Sequence, residues 1–418
     1  MREMKDSGIE WIGNIPVSWK IVKVKYNFTN KKDIAGILAD DYERLALTMN
    51  GVIKRSKEDN NGLQPEKFET YQVLNEGELV FKLIDLQNVS TSRVGLSPFI
   101  GLVSPAYIII KRNGEVLSEF AEKFFLSMWK NQIFNAMGDS GVRSSLNTKD
   151  LLEIQMVFPS ESEQKAIADY LDSKCAELDN IISDIQSQIE TLEQYKRSFI
   201  TEAVTKGLDP DVEMRDSGVQ WIGMMPTHWD CQRGKYLLRY VQKPVRDDDG
   251  VITCFRDGEV TLRSNRREEG FTMADKEIGY QGIDVGDLVV HGMDGFAGAI
   301  GISDSRGKAS PVLNVLETKQ NKRYIMYYLR SMAYNDVFVA LATGIRVRSC
   351  DLRWNKLAEL LYPMPTIEEQ QAIVEHIDSV LERTNAIISD KKQQVETIEE
   401  YKKSLIFEYV TGKKEVQA

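Results

Sequence analysis

"PSESEQKAIADYLD" (159–172) and "PTIEEQQAIVEHID" (365–378) are two versions of one segment, set 206 residues apart. The likeness continues: "IISD" at 181–184 recurs at 387–390, and "IETLEQYKRSFITEAVT" (189–205) matches "VETIEEYKKSLIFEYVT" (395–411). In the first copy Leu171, Leu178, Ile185, Leu192 and Phe199 fall at intervals of seven, with Cys175, Ile182 and Ile189 in a second apolar row. Ile377, Leu381, Ile388, Val395, Ile398 and Leu405 take the corresponding places in the second, with Thr384 and Lys391 as weaker members. Such spacing, free of Pro and Gly, predicts a coiled-coil seam. A helix of about 40 residues spans about 60 Å and cannot bury its stripe alone. The two are therefore expected to pack on each other, with Leu171, Leu178, Ile185, Leu192, Ile377, Ile388, Val395 and Leu405 at the contact. The competing expectation is that each helix packs only on its own globular domain.

A second repeat precedes the first. "MKDSGIEWIGNIPVSWK" (4–20) returns as "MRDSGVQWIGMMPTHWD" (214–230), with 9 of 17 positions identical and both tryptophans kept (Trp11, Trp19; Trp221, Trp229). Duplication constrains the architecture before any local reading does, and here it divides the chain near residue 213. The interiors share anchors. "LTMNGVIKRS" (47–56) and "CFRDGEVTLRS" (254–264) place Asn50-Gly51 and Asp257-Gly258 at matching points, where positive φ angles would turn a hairpin. "EGELVF" (76–81) parallels "VGDLVV" (285–290), and "SPAYIII" parallels "SPVLNVL", as strands. Each interior closes with an amphipathic helix, followed by "GVRSSL" (141–146) or "GIRVRS" (344–349). The expected fold is α+β: two mixed α/β domains, 1–158 and 208–364, each followed by a long helix, 159–207 and 365–418, in a pseudo-two-fold internal repeat. With such symmetry, the first tryptophan motif would lie against the end of the second long helix, as its twin lies against the end of the first.

Composition narrows the function. The net charge of -10 at first disfavours a nucleic-acid partner, but residues 160–206 and 366–418 carry -5 and -4 of it. The remainder is near neutral, so basic surfaces are allowed there. No 18-residue apolar run and no signal-peptide pattern is present, giving a cytoplasmic expectation with no membrane partner. Four cysteines without a C-x-x-C pair and three histidines give no zinc pattern. "GISDSRGKA" is one residue too long for a phosphate loop and lacks Ser or Thr after Lys308. Pro65–Lys67 ("PEK") is an isolated fragment of a nuclease-like motif. The Asp-Ser-Gly repeat lacks a base in register, since His228 replaces Ser18. Its glycines, prolines and tryptophans read instead as a structural joint.

Two variable domains, each followed by "DLLEIQMVFPSESEQKAIADYLD" or "KLAELLYPMPTIEEQQAIVEHID", together with the repeated "DSGxxWIGxxPxxW", resemble over essentially the full length the DNA-specificity subunit of a Type I restriction-modification system. The resemblance implies that each variable domain is a target-recognition domain reading half of a split site on double-stranded DNA. It also implies that the long helices pack antiparallel, set the spacer and dock two methyltransferase subunits, with restriction subunits joining that core. The chain itself would be non-catalytic and hold no cofactor; S-adenosylmethionine, ATP and Mg would belong to the partners.

Sequence reading needs donors projected into the major groove. The candidates are Asn50, Lys54 and Arg55 in one domain, and Arg263, Asn265, Arg266 and Arg267 in the other. Arg143, Arg346 and Arg348, after the domain-closing helices, are candidates for phosphate or base contacts. For each, the alternative is an ordinary solvated residue. The rival for the whole chain is a non-catalytic protein-interaction scaffold with a coiled-coil arm.

Overall fold

The computed structural model describes residues 2–59, 67–87, 91–138, 144–267, 278–341 and 352–416. The chain forms two compact units, Met1–Ile185 with Lys392–Ala418, and Gln186–Lys391. No helix among the described residues is long and apolar enough to cross a membrane.

In the first unit a four-stranded antiparallel sheet has the order Phe28–Lys31, Ile108–Arg112, Leu79–Phe81, Val94–Leu96. The second unit repeats it with Leu238–Val241, Leu313–Thr318, Leu288–His291 and Ile300–Ile302. The central strands are the runs "LVF" and "LVVH", buried on both faces apart from His291, which is why they read as continuously apolar instead of alternating. The first unit also builds a second four-stranded sheet, Gly51–Arg55, Arg44–Thr48, Gly101–Val103 and Gln72–Leu74, in which Leu102 pairs with Arg44 in parallel. Its counterparts in the second unit are two separate strand pairs, Ile252–Cys254 with Val260–Leu262 and Gln281–Ile283 with Gly307–Ala309.

Each domain-closing helix is broken where a continuous helix was expected. Ser118–Lys130 gives way to Ile133–Met137 through Gln132 at φ +59°. Lys322–Tyr334 gives way to Val337–Ala340 through Asp336 at φ +54°. The break follows an asparagine in both, Asn131 and Asn335, each of which turns its amide back onto the carbonyl four residues earlier, Ser127 and Ser331. The hairpins differ from expectation in a smaller way. Thr48 pairs with Gly51, so the turn residues are Met49 and Asn50, and the positive φ (+85°) belongs to Gly51 and not to Asn50.

The long helices are Glu161–Lys206 and Ile367–Val410. They pack on each other antiparallel inside each unit. In the first, the Tyr170 and Tyr409 rings are 4.6 Å apart and Lys402 reaches Asp179 at 2.5 Å. In the second, Phe199 meets His376 at 5.4 Å and Lys391 donates to Gln188 at 2.5 Å. Leu171, Ile185, Ile377, Ile388 and Leu405 are buried; Leu178, Leu192 and Val395 are half-buried. The same helices complete the globular cores: Leu405, Ile406, Tyr409 and Val410 join Phe120 and Phe124, and Ile200, Ala203 and Val204 join Tyr324 and Tyr328. The helices therefore pack on each other as expected, and the rival expectation, that each packs only on its own domain, fails: the far end of each helix enters the core of the other half's domain.

The repeated motifs form the joint between domain and helix. Ser160 and Glu163 cap the first long helix reciprocally, the Ser160 amide donating to Glu163 at 3.2 Å and the Glu163 amide to the Ser160 hydroxyl at 3.4 Å. Thr366 and Glu369 do the same at 3.1 and 3.2 Å. This capping box satisfies amides that a helix start otherwise leaves open. Beside it, fully buried Gln164 accepts from the Leu117 amide at 2.7 Å and donates to the Pro159 carbonyl at 3.1 Å; Gln370 bonds Asn321 and Pro365, each at 3.0 Å. Hence the Pro-x-x-x-Glu-Gln signature: each residue type completes a bond between helix and domain. Trp19 and Trp229, almost fully buried, lie on the same carboxylates. The far end closes as the symmetry required. Lys413 donates to the Ile12 carbonyl at 2.5 Å, and the Trp11 ring stands 6.3 Å from Phe407.

Candidate nucleic-acid interface

In the second unit, the hairpin Ile252–Cys254 and Val260–Leu262 runs into a single helical turn, Arg263–Arg266. Its tip turns because the Gly258 amide donates to the Phe255 carbonyl at 2.9 Å and Gly258 takes φ +92°, a conformation that costs glycine little. The turn brings the arginines of "RSNRR" back over the hairpin. Arg266 bonds Asp257 and Glu259, each at 2.7 Å, and its guanidinium lies 4.2 Å from the Phe255 ring centre. Arg267 stands 5.9 Å from the same ring. Arg263 donates to the Thr253 hydroxyl at 3.0 Å, and Arg256 pairs with Asp294 at 2.9 Å. Burial alone would raise the Asp257 carboxyl, but Arg266 and the Glu259 amide outweigh it and hold that carboxyl below the usual range.

Arg256, Asp257, Arg263, Arg266 and Arg267 line a cleft of about 620 Å³, with Phe255, His291 and Asp294 in its wall. Four arginines face two carboxylates there, Asp257 and Asp294. A guanidinium stacked on an aromatic ring and anchored by carboxylates is preorganised for an anionic or planar partner. That chemistry suits phosphate and base edges. Among the described residues no His, Cys, Asp and Glu cluster could hold a metal ion.

The structure thus brings Arg263, Arg266 and Arg267 to one site. Asn265 joins them on the helical turn, its amide donating to the Thr261 hydroxyl at 2.9 Å, so its carbonyl is the part left for a partner. The first-unit candidates are less concentrated. Asn50 is exposed at the hairpin tip, where its backbone amide donates to the Thr48 hydroxyl at 3.2 Å. Lys54 pairs with Glu43 at 2.5 Å and lies 5.3 Å over Phe99; Arg55 pairs with Asp59 at 2.7 Å. As consecutive strand residues, Lys54 and Arg55 leave opposite faces. Arg143, Arg346 and Arg348 lie outside the described residues.

Arg256 and His291, which also line the cleft, were not among the sequence candidates, nor were Lys82 and Arg93 of the first unit. Arg93, fully buried, donates to the Asp85 carbonyl at 2.6 Å and to Thr91 at 3.2 Å. Lys82 donates to Thr91 at 3.2 Å. The signal was available: "ELVFKLID" (78–85) and "DLVVHGMD" (287–294) each follow a buried strand with a basic residue and place Asp three positions on.

No protein-family model matches the chain. It is 23% identical, over 362 residues, to the Type I restriction enzyme MjaVIII specificity subunit of Methanocaldococcus jannaschii, covering 82% of this chain and 80% of the relative. Its fold is similar to a solved chain described under "Structural basis underlying complex assembly and conformational transition of the type I R-M system". That similarity has a TM-score of 0.66 at 12% identity and covers 95% of this chain and 98% of the other.

Proposed function

We infer that this chain is the DNA-specificity subunit of a Type I restriction-modification system, each unit reading one half of a bipartite site. The observation that carries this is one scaffold used twice with different polar residues at equivalent positions: the same four-strand order, the same strand exit, and then Lys82 in one unit where the other has His291. Loops that diverge on a shared frame are where recognition differs. The preorganised arginine cleft supplies donors of the kind that meet phosphates and base edges, and the similarity to a specificity subunit supports the same reading.

The chain is non-catalytic in this reading, and methyl transfer and ATP-driven work belong to partner subunits that hold S-adenosylmethionine, ATP and Mg. Two methyltransferase subunits dock on the long helices. Support comes from duplicated exposed apolar positions: Ile181 (46% exposed) recurs as Ile387 (47%), and Tyr195 (49%) as Tyr401 (52%). Each unit therefore offers one such isoleucine and one such tyrosine, which suits one partner copy per unit.

The test is binding of the chain, reconstituted with its methyltransferase subunits, to duplex DNA across a salt series. A complex making 6–10 phosphate contacts loses about 10³–10⁵ in affinity between 50 and 200 mM salt. Absence of binding, or binding indifferent to salt, returns the chain to the scaffold reading.

A further inference from the structure

The exits of the two central strands are the same place in the fold. The Lys82 amide donates to the Arg93 carbonyl at 3.0 Å, and the His291 amide to the Ala299 carbonyl at 3.0 Å, each closing the same edge of the same sheet. Directly after it, the Leu146 amide donates to the Leu83 carbonyl at 2.9 Å and the Leu352 amide to the Gly292 carbonyl at 2.8 Å. The chain segment that follows the domain-closing helix thus returns beside this point in both units. The backbone bonds match and the side chains differ.

His291 is held in one orientation. Its Nδ1 accepts from the Met293 amide at 3.2 Å and the Asp294 amide at 3.0 Å, so a proton on the ring sits on Nε2. That nitrogen is 3.9 Å from the Asp294 carboxylate, beyond hydrogen-bond length, and no described residue bonds it. The ring lines the arginine cleft. Burial lowers its pKa, with Arg256 working in the same direction against Asp294, which favours the neutral ring with its single outward donor. Lys82 is likewise half-buried, and burial with Arg93 nearby lowers its pKa. Beyond its bond to Thr91 the ammonium keeps two further donors. A partly desolvated donor without a full set of acceptors costs stability, and a ligand acceptor would offset that cost.

We propose that His291 and Lys82 are equivalent specificity-determining residues, each presenting a hydrogen-bond donor to an acceptor on a base edge in its own half-site. This rests on the DNA-reading function inferred above. A single donor selects among N7 of a purine, O6 of guanine and O4 of thymine, which are the acceptors the major groove displays. A fixed neutral imidazole and a mobile ammonium, placed at the same point of one scaffold, discriminate differently.

The test uses the full complex with its methyltransferase subunits and reads methylated sites across a genome. His291→Asn keeps an acceptor near the Nδ1 position for the two amides and removes the donor at Nε2, its own amide N–H groups standing back at the place of the ring carbon Cδ2; Lys82→Met keeps the stem and removes the ammonium. Each variant is expected to methylate sites altered at one base position of one half-site roughly 10-fold or more faster than the parent does, with the two variants relaxing opposite halves. An unchanged motif overturns the proposal, as does uniform loss of affinity with the same motif, the mark of a phosphate contact. If His291→Asn lowers the unfolding temperature of the complex, Lys82→Met carries the test alone. A parent complex that neither binds nor methylates DNA defeats the function itself, which separates the two failures.

Discussion

The Trp19 indole donates to the Glu163 carboxylate across 3.3 Å, and the same carboxylate caps the helix that begins at Glu161. Arg2 reaches it too, as His228 reaches Glu369 in the second unit. One side chain therefore joins the tryptophan motif, the helix start and the domain. Glu163→Ala removes the glutamate half of the capping box, leaving the Ser160 half, and leaves a buried indole N–H without an acceptor, a loss of roughly 2 kcal/mol. Glu163→Gln, which still accepts, loses less. Urea unfolding monitored by tryptophan fluorescence checks the order; equal stability of Ala and Gln variants contradicts it.

At the other end of the joint the two units differ in tightness. Gly412 (φ +71°) and Gly207 (φ +78°) both end a long helix in the left-handed region, yet a Cβ on Gly412 would come within 2.4 Å of Pro16 Cδ, against 3.2 Å from Trp229 for Gly207. Either alanine variant bears the conformational cost of about 1–2 kcal/mol, and only Gly412→Ala adds a clash with a rigid ring. Gly412→Ala should melt clearly lower than Gly207→Ala in calorimetry. The reverse order would mean that Pro16 moves aside freely.

Much of this architecture was legible because it was written twice. The heptads and the Pro-x-x-x-Glu-Gln starts located both helices, and their order in the chain required the first motif to meet the second helix, as Lys413 and Ile12 show. The capping boxes, Ser160-x-x-Glu163 and Thr366-x-x-Glu369, were equally readable and were passed over. Breaks at Gln132 and Asp336 were not legible, since the apolar period runs through them and tertiary packing decides the turn. Among the candidate residues, Arg263, Arg266 and Arg267 could be singled out from sequence because they adjoin a hairpin signal. Lys82 and His291 sit at the end of apolar strands, and only the folded sheet makes their equivalence evident.

Charge inside the second unit should make its stability depend on acid. Lys243 and Arg306 bond Asp284 at 2.9 and 2.6 Å and hold its carboxyl at about 2, against an ordinary 3.8. A carboxyl depressed in the fold binds protons more readily when unfolded, so stability rises with pH between these values. The contribution is fully present above about 4 and is lost as pH falls through about 2. The unfolding-temperature gap between the parent and Asp284→Asn should be constant from neutral pH to about 5 and shrink below 4. A gap that widens on acidification contradicts the assignment.

The helices offer the most direct test of how two recognition units address one DNA. The Asp179–Lys402 and Gln188–Lys391 pairs fix their antiparallel register, so lengthening one helix alone would mismatch the seam. Seven residues inserted between Ile181 and Tyr195, and seven more between Ile387 and Tyr401, preserve the apolar period. Each helix then grows by about 10 Å at 1.5 Å per residue, which corresponds to about three base pairs at 3.4 Å each. Methylation by the extended complex should keep both half-sites and lengthen the spacer between them by about that number. Retained methylation with the original spacer would show that something other than helix length sets the separation.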